Sequence, residues 1–263
     1  MGPWAVAPTD DLNRRALSST DAANAERTEG AANAERTEGM VGFGIDVGAD
    51  AALPEGISLG TDGIARCWWC SDDPFYRDYH DAEWGRPVAD DVRLFEKLCL
   101  EGFQAGLSWL TILRKREAFR RAFRGFDPAV VAGFDDGDVE RLMGDAGIVR
   151  NRAKIAATID NARRYPELAH EFCSLAAYLW SYEPAPSARP VIVDYATLMQ
   201  LGDSPESRAL SRDLRRRGWA FVGPTTAYAA MEAMGLVNDH LVGCLAGAEV
   251  EAERAAFVRP VAR

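Results

Sequence analysis

The chain has 263 residues, 48% of them hydrophobic, with 30 Lys+Arg, 40 Asp+Glu and five Cys. That length can bury a real core, and no run of about 18 apolar residues exists, which excludes a membrane-spanning helix. Five scattered Cys form no disulfide framework, no secretory leader is expected from the opening residues, and collagen-like or globally disordered compositions are excluded; the expected compartment is the cytoplasm.

The net charge of −10 is unevenly spread. Residues 1–65 hold 11 acids and 4 bases, while the remainder holds 29 acids and 26 bases, nearly all Arg. Acidity of the whole chain therefore leaves room for a local basic patch. Residues 1–65 read as a disordered or low-complexity tail. The nonapeptide A-A-N-A-E-R-T-E-G at 22–30 recurs unchanged at 31–39. Such a short tandem repeat has no apolar stripe with which to dock.

From Arg66 onward the pattern turns helical. Asp90 or Asp91 caps a helix with Val92, Phe95, Leu98 and Cys99 on its apolar face, ending near Gly102. A second helix is predicted from about Leu107 through Phe119. Asp127-Pro128 opens a short one, with proline at the first helical position. Further helices are predicted near 136–143, 151–164, 172–181, 205–217, 224–235 and 238–246. V-I-V at 191–193 is too short to build a sheet alone. The fold class is mostly α.

Four constellations could carry chemistry. His240 and Cys244 are four apart, which on a helix puts both donors on one face. Cys67 and His80 are thirteen apart, enough chain to fold both onto one ion. Together they would make a Cys2His2 zinc set, although Cys67-x2-Cys70 is a competing chelating pair and the donors could equally be core residues. Next, V-E-R-L-M-G-D-A-G-I-V-R-N-R-A-K-I at 139–155 reads as a helix–hairpin–helix. Gly144 and Gly147 would supply positive φ or close approach at the turn, with amides and Arg150, Arg152 and Lys154 around an anion site. The plain alternative is an ordinary pair of helices with a solvated basic face.

Third, Glu101 ends an apolar helix just before Trp109, with Trp69, Phe75, Tyr76, Tyr79 and Trp84 upstream. Stacking surfaces with one acidic acceptor suit a flat, cationic heteroaromatic guest. Otherwise Glu101 is a helix-end surface residue and the aromatics are core. Fourth, six bases at 114–124 and a second run at 212–217 are solvated faces or the rim of a DNA groove. His170, Cys99 and Cys173 have no evident partner. No nucleophile elbow, P-loop or dinucleotide fingerprint occurs.

Cys67 to His80, D-A-E-W-G, L-E-G-F-Q-A-G-L-S-W-L-T-I-L-R-K-R, D-A-G-I-V-R-N-R-A-K-I, R-G-W-A-F-V-G-P-T-T and G-L-V-N-D-H-L-V-G-C together resemble one family. It is bacterial DNA-3-methyladenine glycosylase I, of the helix–hairpin–helix superfamily. The likeness covers about residues 66–247, leaving 1–65 and 248–263 as tails. It implies a mostly helical glycosylase fold with one structural zinc held by Cys67, His80, His240 and Cys244. The ion would join the two ends of the domain, with Cys70 spare.

The resemblance further implies a base pocket of Tyr76, Tyr79, Glu101 and Trp109, with Gly106 and Leu107 against the gap left by the extruded nucleotide. DNA contacts would add Gly147, Arg150 and Lys154. The implied reaction is hydrolysis of the N-glycosidic bond of 3-methyladenine in alkylated double-stranded DNA. No Lys stands where related lyases place a Schiff-base nucleophile, and no residue convincingly matches a catalytic Asp after the hairpin, Asp194 being too distant. The four-Cys cluster of iron–sulfur relatives is also missing. A monofunctional, monomeric enzyme without a membrane or obligate protein partner is expected. A zinc-stabilised DNA-binding module and a glycosylase for another alkylated base are the competing classes.

Overall fold

The computed structural model describes residues 52–262 apart from Ser71. The tandem repeat and most of the expected tail lie outside the described residues. The rest is mostly helical. Strands β1 (Ile57–Leu59) and β2 (Ala65–Cys67) open it as an antiparallel hairpin, with Ile57 opposite Cys67. Helices α1 (Pro74–Ala82), α2 (Asp91–Gln104), α3 (Trp109–Ala122) and α4 (Pro128–Val131) follow. Then come α5 (Asp136–Gly144), α6 (Arg152–Phe172), α7 (Leu175–Trp180), α8 (Tyr195–Leu198), α9 (Pro205–Arg216), α10 (Pro224–Ala233) and α11 (Leu245–Ala256).

Local sequence explains most of these boundaries. Asp73, Asp90, Ser108 and Asn151 each accept a backbone N–H from the first turn of α1, α2, α3 and α6. A side-chain cap of this kind contributes about 1 kcal/mol. Proline begins α1, α4, α9 and α10, where its missing N–H costs no helical bond. Helix α2 forms the centre, packed against α3, α6, α7 and α10. Its Leu94, Phe95, Leu98, Leu100 and Phe103 are fully enclosed, with Phe119 and Phe123 beside Phe103.

Both expected tails need correction at their inner boundaries. The hairpin begins within the stretch assigned to the N-terminal tail, and Ile57 joins the core. Two three-residue strands offer too little alternation to be read from sequence. At the other end, residues 248–256 continue α11, with Val250 buried and Arg254 bonded to the Gly235 and Leu236 carbonyls. Phe257 then lies against Trp180, with ring centroids 4.6 Å apart. The predicted helix at 238–246 is also displaced, because residues 238–244 form a loop that leads into α11. V-I-V at 191–193 is not a strand.

Candidate base pocket and metal centre

Cys67 ends β2, His80 lies in α1, and His240 and Cys244 come from the loop before α11. Their ligating atoms all fall within 4.8 Å of one another, and all four residues are buried. Cys244 Sγ is 3.4 Å from His80 Nε2 and 3.4 Å from His240 Nδ1, while Cys67 Sγ is 4.0 Å from His240 Nδ1. This cluster could hold a metal ion.

Surrounding groups aim each ring. His80 Nδ1 is 2.8 Å from Asp81 Oδ1, which leaves Nε2 facing the cluster. Arg66 in turn grips that Asp81 carboxylate with two guanidinium nitrogens. His240 Nε2 lies 3.2 Å from the Trp84 carbonyl, leaving Nδ1 inward. Outer partners of this kind fix the tautomer and orientation of a ligating imidazole. Hydrogen bonding with Cys67, then with His240 and His80, pushes the Cys244 thiol strongly toward thiolate, the ligating form. The same bond pushes Cys67 upward. Cys70 is buried but stands outside the cluster, and burial raises its thiol to about 12.

The base-pocket candidates meet next to this centre. Glu101 occupies the last turn of α2 with only 5% exposure, which rules out a solvated helix end. Its Oε1 is 2.9 Å from Lys97 Nζ, one turn earlier on the same helix. That ammonium also donates to the Tyr79 hydroxyl at 2.7 Å and sits 3.5 Å from the centre of the Trp109 ring. Three expected pocket residues therefore converge on one cation that the sequence reading left out. The spacing Lys97 to Glu101, i to i+4 on the enclosed face of α2, was the available signal.

Tyr76 stands beside this group, its hydroxyl accepting the Leu110 N–H at 3.1 Å. Trp69 packs edge-on against Tyr76 and also against His80, so the aromatic wall and the metal cluster share a side chain. Burial, then the Glu101 charge, pushes the Tyr79 hydroxyl well above its ordinary range. It stays protonated and can donate. Behind the pocket lies Glu232, which burial and then Asp239 also push well upward.

The expected DNA-contact residues divide into two groups. Gly106 and Leu107 form the turn between α2 and α3, with Gly106 exposed at φ +82° and Leu107 half-buried. Arg150 is exposed and has no ion pair among the described residues. Lys154 differs from an open phosphate contact: it is 8% exposed and donates to the Phe103 and Ala105 carbonyls at 2.8 and 2.6 Å. Those carbonyls end α2, where a cation is favoured by the helix dipole.

Gly147 also differs in role. Its N–H is taken by Asp145 Oδ1 at 2.7 Å and its φ is not positive. A Cβ there would come within 3.0 Å of the Ala118 Cβ, so glycine is needed to let the turn approach α3. Most bases of the 114–124 run are likewise engaged. Arg114 pairs with Asp73, Arg116 with Glu83 and Arg120 with Glu96, tying α3 to the segments before it.

Comparison with known proteins gives this geometry a family. The model of a family described as methyladenine glycosylase matches residues 69–247. DNA-3-methyladenine glycosylase 1 of Escherichia coli K12 is 49% identical over 182 residues, covering 69% of this chain and 96% of that protein. A crystal structure of 3-methyladenine DNA glycosylase I is 47% identical and superposes at a TM-score of 0.63, covering 68% of this chain and 98% of the other. A variant of such an enzyme, solved in complex with 3-methyladenine, is 36% identical with a TM-score of 0.63, covering 67% and 94%. With that match spanning the aromatic pocket and three of the four cluster residues, His80, His240 and Cys244, this chain belongs to the methyladenine glycosylase family.

Proposed function

We propose that this protein removes 3-methyladenine from alkylated duplex DNA by hydrolysing its N-glycosidic bond. The observation that carries the reading is the buried Glu101 carboxylate beside Tyr79 and Trp109. Methylation at N3 makes the purine cationic while it remains attached to the sugar. Leaving as a neutral base is then easy, so the site needs little acid catalysis. A preorganised carboxylate with aromatic surfaces favours that cation over unmodified adenine.

The base would reach Glu101, Tyr76, Tyr79 and Trp109 only after extrusion from the duplex. In this reading Gly106 and Leu107 face the vacated stack. The α5–α6 connection is a helix–hairpin–helix that meets the backbone through Arg150, with Gly147 and Lys154 shaping the turn rather than gripping phosphate. Contacts to the backbone hold register without reading sequence. Hydrolysis without strand cleavage is the expected course, because no Lys stands where related lyases place a Schiff-base nucleophile, and Lys115 and Lys154 are committed to backbone carbonyls.

The Cys2His2 set suits zinc. Donors around a tetrahedral ion with bonds of about 2.0–2.3 Å lie about 3.3–3.8 Å apart. Two donor pairs here fall in that range at 3.4 Å, the Cys67–His240 pair stands slightly wider at 4.0 Å, and all four donors stay within 4.8 Å of one another. Four protein ligands close the coordination sphere, so the ion would serve the fold and not the hydrolysis. Among the described residues no helix is long and apolar enough to cross a membrane. A cytoplasmic monomer acting on the chromosome is the matching setting. Incubating the purified protein with methylated duplex DNA and identifying the released base tests the activity. Release of no 3-methyladenine would overturn it.

A further inference from the structure

We infer that Lys97 occupies the cation position of the pocket in the free protein and is displaced by the charged base. The inference rests on the base-pocket reading above. Lys97 Nζ is held by the Glu101 carboxylate, the Tyr79 hydroxyl and the face of Trp109 at 2.9, 2.7 and 3.5 Å. An acidic acceptor, a hydroxyl and an aromatic face are also what a methylated purinium would use. The internal ammonium is thus a stand-in for the substrate's charge.

Space supports exchange over simultaneous occupancy. The cavity lined by Tyr79, Lys97, Trp109, Glu83, Arg116 and Met234 has a volume of about 40 Å³. Small-molecule pockets usually run to a few hundred. A purine needs the group to open, and of the groups that meet at Glu101 Lys97 has the flexible four-carbon stem, with 12% of its side chain exposed. Arg116 is fixed to Glu83 by a two-pronged pair at 2.6 and 2.7 Å. Tyr79 and Trp109 are rigid rings in the core.

Exchange also supplies selectivity. A cationic base replaces one positive charge by another, so Glu101 stays paired throughout. A neutral base that moved Lys97 would leave the buried carboxylate without a counter-ion, a state the protein interior strongly disfavours. The ammonium therefore acts as a lock that only a charged purine opens.

The chain has only three lysines, Lys97, Lys115 and Lys154, which makes a direct test clean. The probe is 3,9-dimethyladeninium, whose charge is permanent, with 9-methyladenine as the neutral control. Binding is followed by tryptophan fluorescence, and lysine exposure by reductive methylation and mass spectrometry. Saturation with the cation should raise Lys97 labelling at least tenfold while Lys115 and Lys154 stay constant. The neutral control should leave all three unchanged. Lys97→Met, with no resident cation to expel, should bind the dimethyladeninium at least tenfold more tightly. A bound cation that leaves Lys97 labelling unchanged, or protects it, overturns the exchange, as does weaker binding by a folded Lys97→Met protein. Absence of cation binding in a protein that still excises 3-methyladenine overturns the exchange alone. Loss of both binding and excision overturns the base-pocket reading as well.

Discussion

Cys244 Sγ and His80 Nε2 lie 3.4 Å apart although 164 positions separate them in the chain. One comes from the loop after α10, the other from the first helix. A metal at this point would cross-link the beginning of the domain to its end and close nearly the whole folded chain into a loop. Constraining so long a loop removes much conformational freedom from the unfolded state. Binding energy of a structural ion is also folding energy.

Cys244→Ala should therefore abolish stoichiometric zinc and lower the melting temperature. Cys70→Ala should keep the metal, because Cys70 stands outside the cluster. Elemental analysis of the two purified variants beside the parent protein checks both statements. Equal zinc in all three would refute the ligand set, and folded, active protein without zinc would refute the structural role.

A boundary experiment separates the N-terminal stretch from the hairpin. A chain beginning at Ala52 keeps β1 and β2, and should melt and excise like the full protein. One beginning at Gly63 loses Ile57 from the core and the strand that backs Cys67. It should be destabilised by about 2–5 kcal/mol, the usual cost of emptying a large aliphatic site. Equal melting temperatures for the two truncations would count against the hairpin as a structural part of the domain.

How much of this was legible in the sequence depended on the length of the pattern. Helices α2, α3 and α6 have caps and a sustained apolar face, and each was found within a few residues of its observed start. Helix α1 was missed although Asp73-Pro74 is the same start signal as Asp127-Pro128; its nine residues bury few aliphatics. The four metal donors were candidates on spacing alone, with Cys70 competing until the family resemblance set it aside, and the argument for His240 and Cys244 invoked a helix that is a loop here. Glu101 was legible as a candidate, but its burial was not, because a carboxylate at a helix end is usually solvated. Lys97 and Lys154 show the common difficulty. A lysine reads as surface unless its tertiary partners are known, and these partners are 49 to 51 residues distant for Lys154.

That placement changes what Lys154 should do. Lys154→Ala leaves two carbonyls at the end of α2 without a donor and should cost about 1–3 kcal/mol of stability. It should hardly alter the salt dependence of DNA binding. Arg150→Ala should weaken binding to any duplex sequence and reduce the slope of log K against log salt by about 1, the mark of one phosphate contact. Filter-binding titrations from low to moderate salt decide the matter. A reduced slope for Lys154→Ala at unchanged stability would return that side chain to the DNA surface.

Glu101 is the residue on which selectivity should turn. Glu101→Gln keeps the volume and one acceptor but removes the charge that faces the cationic purine. If that charge does the selecting, single-turnover excision of 3-methyladenine should fall more than tenfold, each factor of ten being about 1.4 kcal/mol of lost transition-state stabilisation. Affinity for undamaged duplex should stay at the parent value, because the carboxylate is enclosed and meets only an extruded base. The substitution also leaves Lys97 facing a neutral amide, and breaking one side of a buried ion pair costs about 3–5 kcal/mol. Melting curves must therefore accompany the kinetics, with rates taken well below the transition. Trp109→Ala removes stacking area and should also slow excision, but without favouring neutral over charged bases. The decisive comparison is thus the ratio of 3-methyladenine to hypoxanthine release in the two variants. It should collapse in Glu101→Gln and persist in Trp109→Ala. A Glu101→Gln protein that is folded and excises 3-methyladenine at the parent rate would remove the carboxylate from the recognition step.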